Sequence, residues 1–257
     1  MPAFTPGAPC WFDVTAPDVP AAAEFYTGLF GWTAEDTGPE TNHYTLLLQD
    51  GRRVAGLTAA TAPDGTAKPA LWLPYFSVAD AAASTATAVD AGAGVFVGPT
   101  EVPGLVFAIL TDPDGAPYGI TQLIEHPGTE DWGGIGNPCW VEYSAARTPS
   151  DAMTHYARVF GWHYTNAAWE TATENPYQAL SAAPGDREFG GVHRAAPGEP
   201  APFWAMNIHV ADVDETVERA LSLGGKLLQE AVDLPGPSRL AVLADPAGAG
   251  FAVMSVG

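Results

Sequence analysis

Lysine is almost missing from this chain. Only Lys68 and Lys226 occur, and ten lysine and arginine side chains stand against 30 carboxylates, for a formal net charge of -20. The arginines are scattered rather than clustered, so the surface field repels phosphate backbones and anionic lipid headgroups, and neither nucleic acid nor a membrane is expected as a partner. Cysteine is scarce too. Cys10 and Cys139 cannot build a disulfide framework, and they read as buried thiols of a reducing compartment. No apolar run reaches the ~18 residues that a membrane span needs. The opening MPAFTPGAPC lacks the basic-then-apolar layout of a secretory signal, so a cytoplasmic protein is expected. Also missing are a P-loop, a dinucleotide-type glycine fingerprint at a strand-to-helix junction, a G-x-S-x-G elbow and a C-x-x-C pair. Their absence removes the standard sequence signals of nucleotide, serine-hydrolase and dithiol chemistry.

What the chain has in quantity is itself. Its 257 residues, 47% of them apolar, suffice for two compact domains. An offset of about 130 residues pairs Pro9-Cys10-Trp11-Phe12-Asp13 with Pro138-Cys139-Trp140-Val141-Glu142. The same offset pairs Leu29-Phe30-Gly31-Trp32 with Val159-Phe160-Gly161-Trp162, Tyr44 with Tyr177, Gly56-Leu57 with Gly191-Val192, and Val78-Ala79-Asp80 with Val210-Ala211-Asp212. Collinear matches of this kind mean that one supersecondary unit was copied. We read residues 1–126 and 138–257 as the two modules and 127–137 as their linker, flexible through Gly133-Gly134-Ile135-Gly136.

Each copy reads as strand, helix, strands, helix, strands. Asp18 caps a helix that Gly31 ends, and Thr148 with Pro149 starts its counterpart. Asp212 opens a later helix, with Glu215 in capping-box position and Val213, Val217, Ala220 and Leu221 on one face. Residues 80–92 are its alanine-rich equivalent. Runs such as 44–48, 106–110 and 240–243 are strand-like.

Two motifs recur at matching places: the helix end Phe25-Tyr26-x-x-Leu29-Phe30-Gly31-Trp32, echoed by His155-Tyr156-x-x-Val159-Phe160-Gly161-Trp162, and a late turn, Asp112-Pro113-Asp114-Gly115 and Asp245-Pro246-Ala247-Gly248. With these motifs in this order the chain resembles the vicinal oxygen chelate superfamily of glyoxalases, bleomycin-resistance proteins and extradiol dioxygenases, and its two-module actinobacterial-type members in particular. The resemblance implies an α+β fold: a tandem repeat of two modules, each of paired βαβββ units forming curved mixed sheets around a cleft. It does not settle function, since this superfamily hosts lyases, dioxygenases, resistance enzymes and plain drug-binding proteins.

Metal-dependent relatives carry His, Gln or Glu at positions that the resemblance transfers to Trp11, Leu73, Gly119, Trp140, Ala205 and Ala252. None of these can ligate a divalent ion. No metal site and no cofactor are therefore expected, a divalent metal being the lesser alternative. A shift of two residues keeps the strand face and brings up Asp13, Tyr75, Glu142, Asn207 and His209. We take Glu142, His209 and Asp13 as candidate catalytic groups, and Trp11, Tyr75, Trp140 and Asn207 as candidate ligand-binding groups. Aromatic walls around a few polar side chains suit a small, largely apolar or aromatic molecule. Equally, the two tryptophans could be core plugs and the two carboxylates structural hydrogen-bond acceptors. The expected function is metal-independent binding of such a metabolite or drug. The alternative is an enzyme of lyase or dioxygenase type, using carboxylate and imidazole acid-base chemistry or a retained metal on a small carbonyl or aromatic metabolite. His43, His126, His155, His163 and His193 are placed on loops or helices, and the oligomeric state is left as monomer or homodimer.

Overall fold

A computed structural model describes residues 4–61, 65–172 and 174–256. Within these residues one pattern of strand, helix and three strands occurs four times. The first copy supplies β1 (Pro9–Ala16), α1 (Val19–Phe30), β2 (Thr33–Asp36), β3 (Thr45–Gln49) and β4 (Arg52–Ala59), then β5 (Leu71–Ser77), α2 (Ala81–Asp90), β6 (Gly94–Val102), β7 (Leu105–Thr111) and β8 (Pro117–Leu123). The second supplies β9 (Pro138–Ala145), α3 (Pro149–Phe160), β10 (His163–Asn166), β11 (Gln178–Ser181) and β12 (Gly190–Arg194), then β13 (Phe203–His209), α4 (Val213–Ser222), β14 (Lys226–Asp233), β15 (Arg239–Ala244) and β16 (Gly250–Ser255). The strand orders are β2-β3-β4-β1-β5-β8-β7-β6 and β10-β11-β12-β9-β13-β16-β15-β14, two mixed sheets of eight. The first strand of each βαβββ run pairs in parallel with its last, and the last three strands of each run pair antiparallel with one another. This is the α+β tandem fold that the repeat predicts.

The helices begin and end where capping chemistry puts them. Asp18 accepts from the Ala21 N–H, Thr148 from Asp151, Asp80 from Ala83 and Asp212 from Glu215. Gly31 and Gly161 close α1 and α3 in the left-handed region, at φ 75° and 72°, where a side chain would be strained. One detail of α4 departs from expectation. Val213 and Ala220 are buried, whereas Leu221 is 46% exposed. At ~100° per residue Leu221 lies about 80° round the helix from Val213, off the covered stripe.

The described chain divides into two compact units, and each draws on both copies. One holds the described residues up to Trp11 together with Leu73–Gly128 and Trp140–Ala205; the other holds Phe12–Trp72, Thr129–Cys139 and the described residues from Met206 onward. The two sequence signatures explain this assembly. In the first unit Asp112, from the late turn of the first copy, accepts from the hydroxyls of Tyr143 and Tyr156 of the second copy, at 2.6 and 2.9 Å. The Trp204 indole donates to Tyr156 in turn, at 2.8 Å. In the second unit the copies exchange roles: Tyr26 of the first donates to Asp245 of the second at 3.0 Å, and Trp72 donates to Tyr26. Asp112 and Asp245 also accept the backbone N–H groups of their own turns, so each buried carboxylate is satisfied from several sides. Burial, followed by the nearby Asp245 or Asp112 charge, pushes the phenols of Tyr26 and Tyr156 far above their ordinary range, so both remain hydrogen-bond donors.

The connector between copies is not the loose linker its glycines suggest. Thr129 Oγ1 donates to the Val54 carbonyl, Glu130 accepts from the Arg53 N–H, and Gly136 donates to the His209 carbonyl while accepting from the Trp32 indole. Its glycines serve the close turns of this path, with Gly133 and Gly136 at positive φ.

Candidate functional site

Alternation sorts the side chains of β9. Val141, Tyr143 and Ala145 are buried, Tyr143 against Tyr156 of α3, so Trp140, Glu142 and Ser144 share the opposite face of the strand. In register beside them, Gly191 of β12 pairs with Glu142 and His193 pairs with Ser144. A Cβ at Gly191 would overlap the Tyr177 hydroxyl, so glycine is what lets that phenol reach across β12.

The result is a continuous polar network within one unit. Glu142 Oε2 accepts from the Trp140 indole at 3.1 Å and from the Tyr177 hydroxyl at 2.8 Å, while Oε1 lies 2.8 Å from His193 Nδ1. On the far side of the ring, His193 Nε2 lies 2.7 Å from Glu199 Oε1, which also accepts from Ser144 Oγ. Burial alone would lower the His193 pKa, but the flanking carboxylates of Glu142 and Glu199 outweigh it and raise the imidazole to about 9. Burial would likewise raise Glu199, yet Ser144, the Ala196 N–H and His193 hold its carboxyl below the usual range. Burial and then Glu142 push the Tyr177 phenol up, so it stays protonated and donates. The network thus presents an imidazolium between two carboxylates, together with a neutral phenol and a half-buried indole.

The first copy carries a shorter version in the other unit. Tyr44 donates to Asp13 Oδ1 at 2.5 Å, and Asp13 pairs in register with Gly56, whose missing side chain again makes room for the phenol. Thr15 and Thr58 occupy the places of Ser144 and His193.

The candidate residues named from sequence thus separate. Glu142 and Trp140 are joined in one network, and Asp13 holds the equivalent place in the first copy. Trp11 is buried, its ring edge-on to His126 at 4.8 Å between centroids. Tyr75 is buried too, lying over Gly119 where a Cβ would overlap its ring. Asn207 is buried in register with Ala252, and its side-chain oxygen has no hydrogen-bond partner among the described residues. His209 Nδ1 donates to the Gly133 carbonyl at 2.8 Å, so this ring helps to pin the connector. The imidazole beside Glu142 is His193, which the sequence reading put on a loop or helix; it stands on β12, and His163 likewise opens β10. A strand of five residues starting Gly-Gly carries too little β signal to be seen. Tyr177 was also missed as a site residue, although its duplication with Tyr44, and that of Gly191 with Gly56, was the available signal. His155 is structural: buried in α3, it sits between Tyr118 and the Ala91 carbonyl.

Residues 10–118 match the family described as Glyoxalase/Bleomycin resistance protein/Dioxygenase superfamily, and residues 141–254 match Glyoxalase-like domain. An anthracycline biosynthesis protein, DauV, of Streptomyces sp. (strain C5) is 37% identical over 100% of this chain and 96% of its own length. A putative glyoxylase, CFP32, of Mycobacterium bovis is 32% identical over 98% of this chain and 95% of its own. The chain belongs to the glyoxalase/bleomycin resistance/dioxygenase superfamily. Among solved structures, the Mn(II)-bound glyoxalase of Novosphingobium aromaticivorans shares the fold with a TM-score of 0.66 at 14% identity, over 98% of this chain and 82% of that one.

That neighbour makes a metal the natural question for a superfamily member, and the residues here do not fit one. At the six transferred positions stand two indoles, two alanines, a leucine and a glycine; the Trp140 N–H is a donor committed to Glu142, and the space at Gly119 is taken by the Tyr75 ring. Both nitrogens of His193 are engaged by carboxylates. Among the described residues no group of three His, Cys, Asp or Glu side chains is arranged to hold an ion, and no helix is long and apolar enough to cross a membrane.

Proposed function

We propose that this superfamily member binds a small, largely aromatic organic molecule without a metal ion, and that the Trp140, Glu142, Tyr177 and His193 face of the second copy recognises it. The observation that carries this reading is the exchange of chemistry at one position. Where metal-dependent relatives place a ligating group, this chain places the half-buried Trp140 indole, fixed by its N–H to the Glu142–Tyr177 pair. An indole offers an apolar surface for stacking, and His193 Nε2 beside it becomes a donor for a ring oxygen when Glu199 leaves it. The 37% identity to a protein named for anthracycline biosynthesis supports a fused-ring aromatic as the ligand class.

A second reading is favoured by His193 itself. A protonated imidazole beside a carboxylate and a phenol can pass a proton to a carbonyl oxygen, which would make the same face an acid-base catalyst. One titration separates the readings. Protein treated with EDTA is titrated calorimetrically with 1,8-dihydroxyanthraquinone, and the mixture is followed for new products. The binding reading expects saturable binding indifferent to EDTA, weakened about tenfold in Trp140→Ala through lost stacking area, with no product. Binding that appears only after Mn, Fe, Ni or Zn is added would overturn it, and turnover would move the assignment to the enzyme reading.

A further inference from the structure

Glu199 belongs to no strand or helix, yet its carboxylate has three hydrogen-bond partners in the network. It comes from the turn after β12, whose Ala196, Pro197 and Gly198 are exposed. Oε1 accepts from Ser144 Oγ at 2.5 Å and lies 2.7 Å from His193 Nε2, while Oε2 accepts from the Ala196 N–H at 2.9 Å. The two side-chain donors have a different origin. Ser144 is 5% exposed on β9, and His193 stands opposite it on β12, so the sheet fixes both and they converge on one point. A rigid donor pair is therefore filled by a carboxylate from a surface turn.

We propose that Ser144 Oγ and His193 Nε2 form a subsite for an anionic ligand oxygen, carboxylate or phenolate, and that Glu199 occupies it until such a ligand displaces it. This deepens the binding reading above and rests on it. The charges support displacement. Glu142, His193 and Glu199 together carry one net negative charge, so expelling Glu199 to solvent leaves a neutral Glu142–His193 pair and an incoming anion restores the balance. A neutral ligand restores nothing, and a cationic one meets the imidazolium. Among the described residues the charged groups against His193 are Glu142 and Glu199, with Tyr177 one hydrogen bond further through Glu142. Because Glu142 stays on Nδ1 when Glu199 leaves, the ring remains a donor. The first copy offers no equivalent: Thr58 replaces the imidazole, and the Thr15 hydroxyl is spent on the Pro69 carbonyl and the Leu71 N–H.

The test uses benzoate as the anionic probe and benzamide as its neutral counterpart, titrated calorimetrically into wild type, Glu199→Ala, Glu199→Gln and the double variant Glu199→Ala/Ser144→Ala. His193 is followed by NMR, and folding by thermal melting. With the internal carboxylate removed, Glu199→Ala should bind benzoate at least about tenfold more tightly than wild type, the scale of one charge-assisted hydrogen bond. Glu199→Gln should gain less, and benzamide should gain nothing. Adding Ser144→Ala should abolish most of the gain, and benzoate should raise the His193 pKa that Glu199→Ala lowers. Equal benzoate affinity in wild type and both single variants overturns the subsite, as does an equal gain for benzamide, which would show only an opened surface. Should the anthraquinone still bind wild type while the benzoate gain is missing, the subsite alone is wrong. Loss of anthraquinone binding with the benzoate gain intact would instead remove the aromatic reading.

Discussion

At the scale of single residues, chemistry in this chain follows from which groups are left facing a carboxylate. His193 has one on each ring nitrogen, and the sign of its contribution to stability follows. Its folded pKa of about 9 lies above the ordinary imidazole value of 6.5, so its stabilisation is complete below about 6.5 and is lost as the pH rises through 9. Glu199, held below its ordinary range, adds stabilisation above the usual carboxylate region that is lost on acidification. The pair is therefore most favourable between the two, in mildly acidic to neutral solution. We expect the His193 ring protons to titrate near pH 9 by NMR, and Glu142→Gln to bring the midpoint down toward 6.5; an unchanged midpoint would mean that Glu142 does not charge the ring. Sequence made half of this legible. Glu142 and Trp140 stood out because both copies carry their equivalents, and Asp13 for the same reason. His193 did not, since its equivalent in the first copy is Thr58 and nothing in the repeat marked it. His209 lay on the expected strand, but sequence gives no view of the Gly133 carbonyl that claims its ring.

Among the elements, those with local causes were readable and those with remote causes were not. Caps such as Asp18, Thr148 and Asp212 act within three residues, and all three helix starts stand where the sequence put them. The two signature motifs were equally plain as strings, but the reason for them lies 219 residues apart, in the bond from Tyr26 to Asp245. Because Asp245 is fully buried and accepts from Tyr26, Gly248 and Ala249, Asp245→Ala leaves several donors without partners. We expect a loss of roughly 3 kcal/mol, read as a fall of about 10 °C in melting temperature. Asp214 is the control. Its bond to Arg239 is exposed on the surface of α4, and Asp214→Ala should leave the melting temperature nearly unchanged. Similar losses for both variants would show that the turn carboxylate carries no special load.

For the whole molecule, the sequence copies and the compact units divide the chain differently, and this has a consequence for fragments. Residues 138–257 look like a self-sufficient module by motif order. Yet the tyrosine of its helix signature, Tyr156, finds its carboxylate at Asp112, and its own Asp245 is reached by Tyr26, both in the other copy. Expressed alone, the fragment keeps Tyr156, Tyr143, Trp204 and Asp245 but has no partner of the other copy to satisfy either hub. Leaving the phenols of Tyr143 and Tyr156 without their acceptor, and Asp245 with only the N–H groups of its own turn, costs several kcal/mol, a large share of the ~5–15 kcal/mol that stabilises a domain. Two copies of the fragment can repair this, because Tyr156 of one chain could meet Asp245 of another in the way Tyr26 meets Asp245 here. Residues 138–257 should therefore be either unfolded or dimeric, and the same holds for 1–126, where Tyr26 would have to find Asp112. Mixing the two fragments should give a one-to-one complex that melts above either alone. Analytical ultracentrifugation with circular dichroism decides the matter: a folded, monomeric 138–257 at micromolar concentration would show that each copy closes on itself and that the bonds between copies are dispensable.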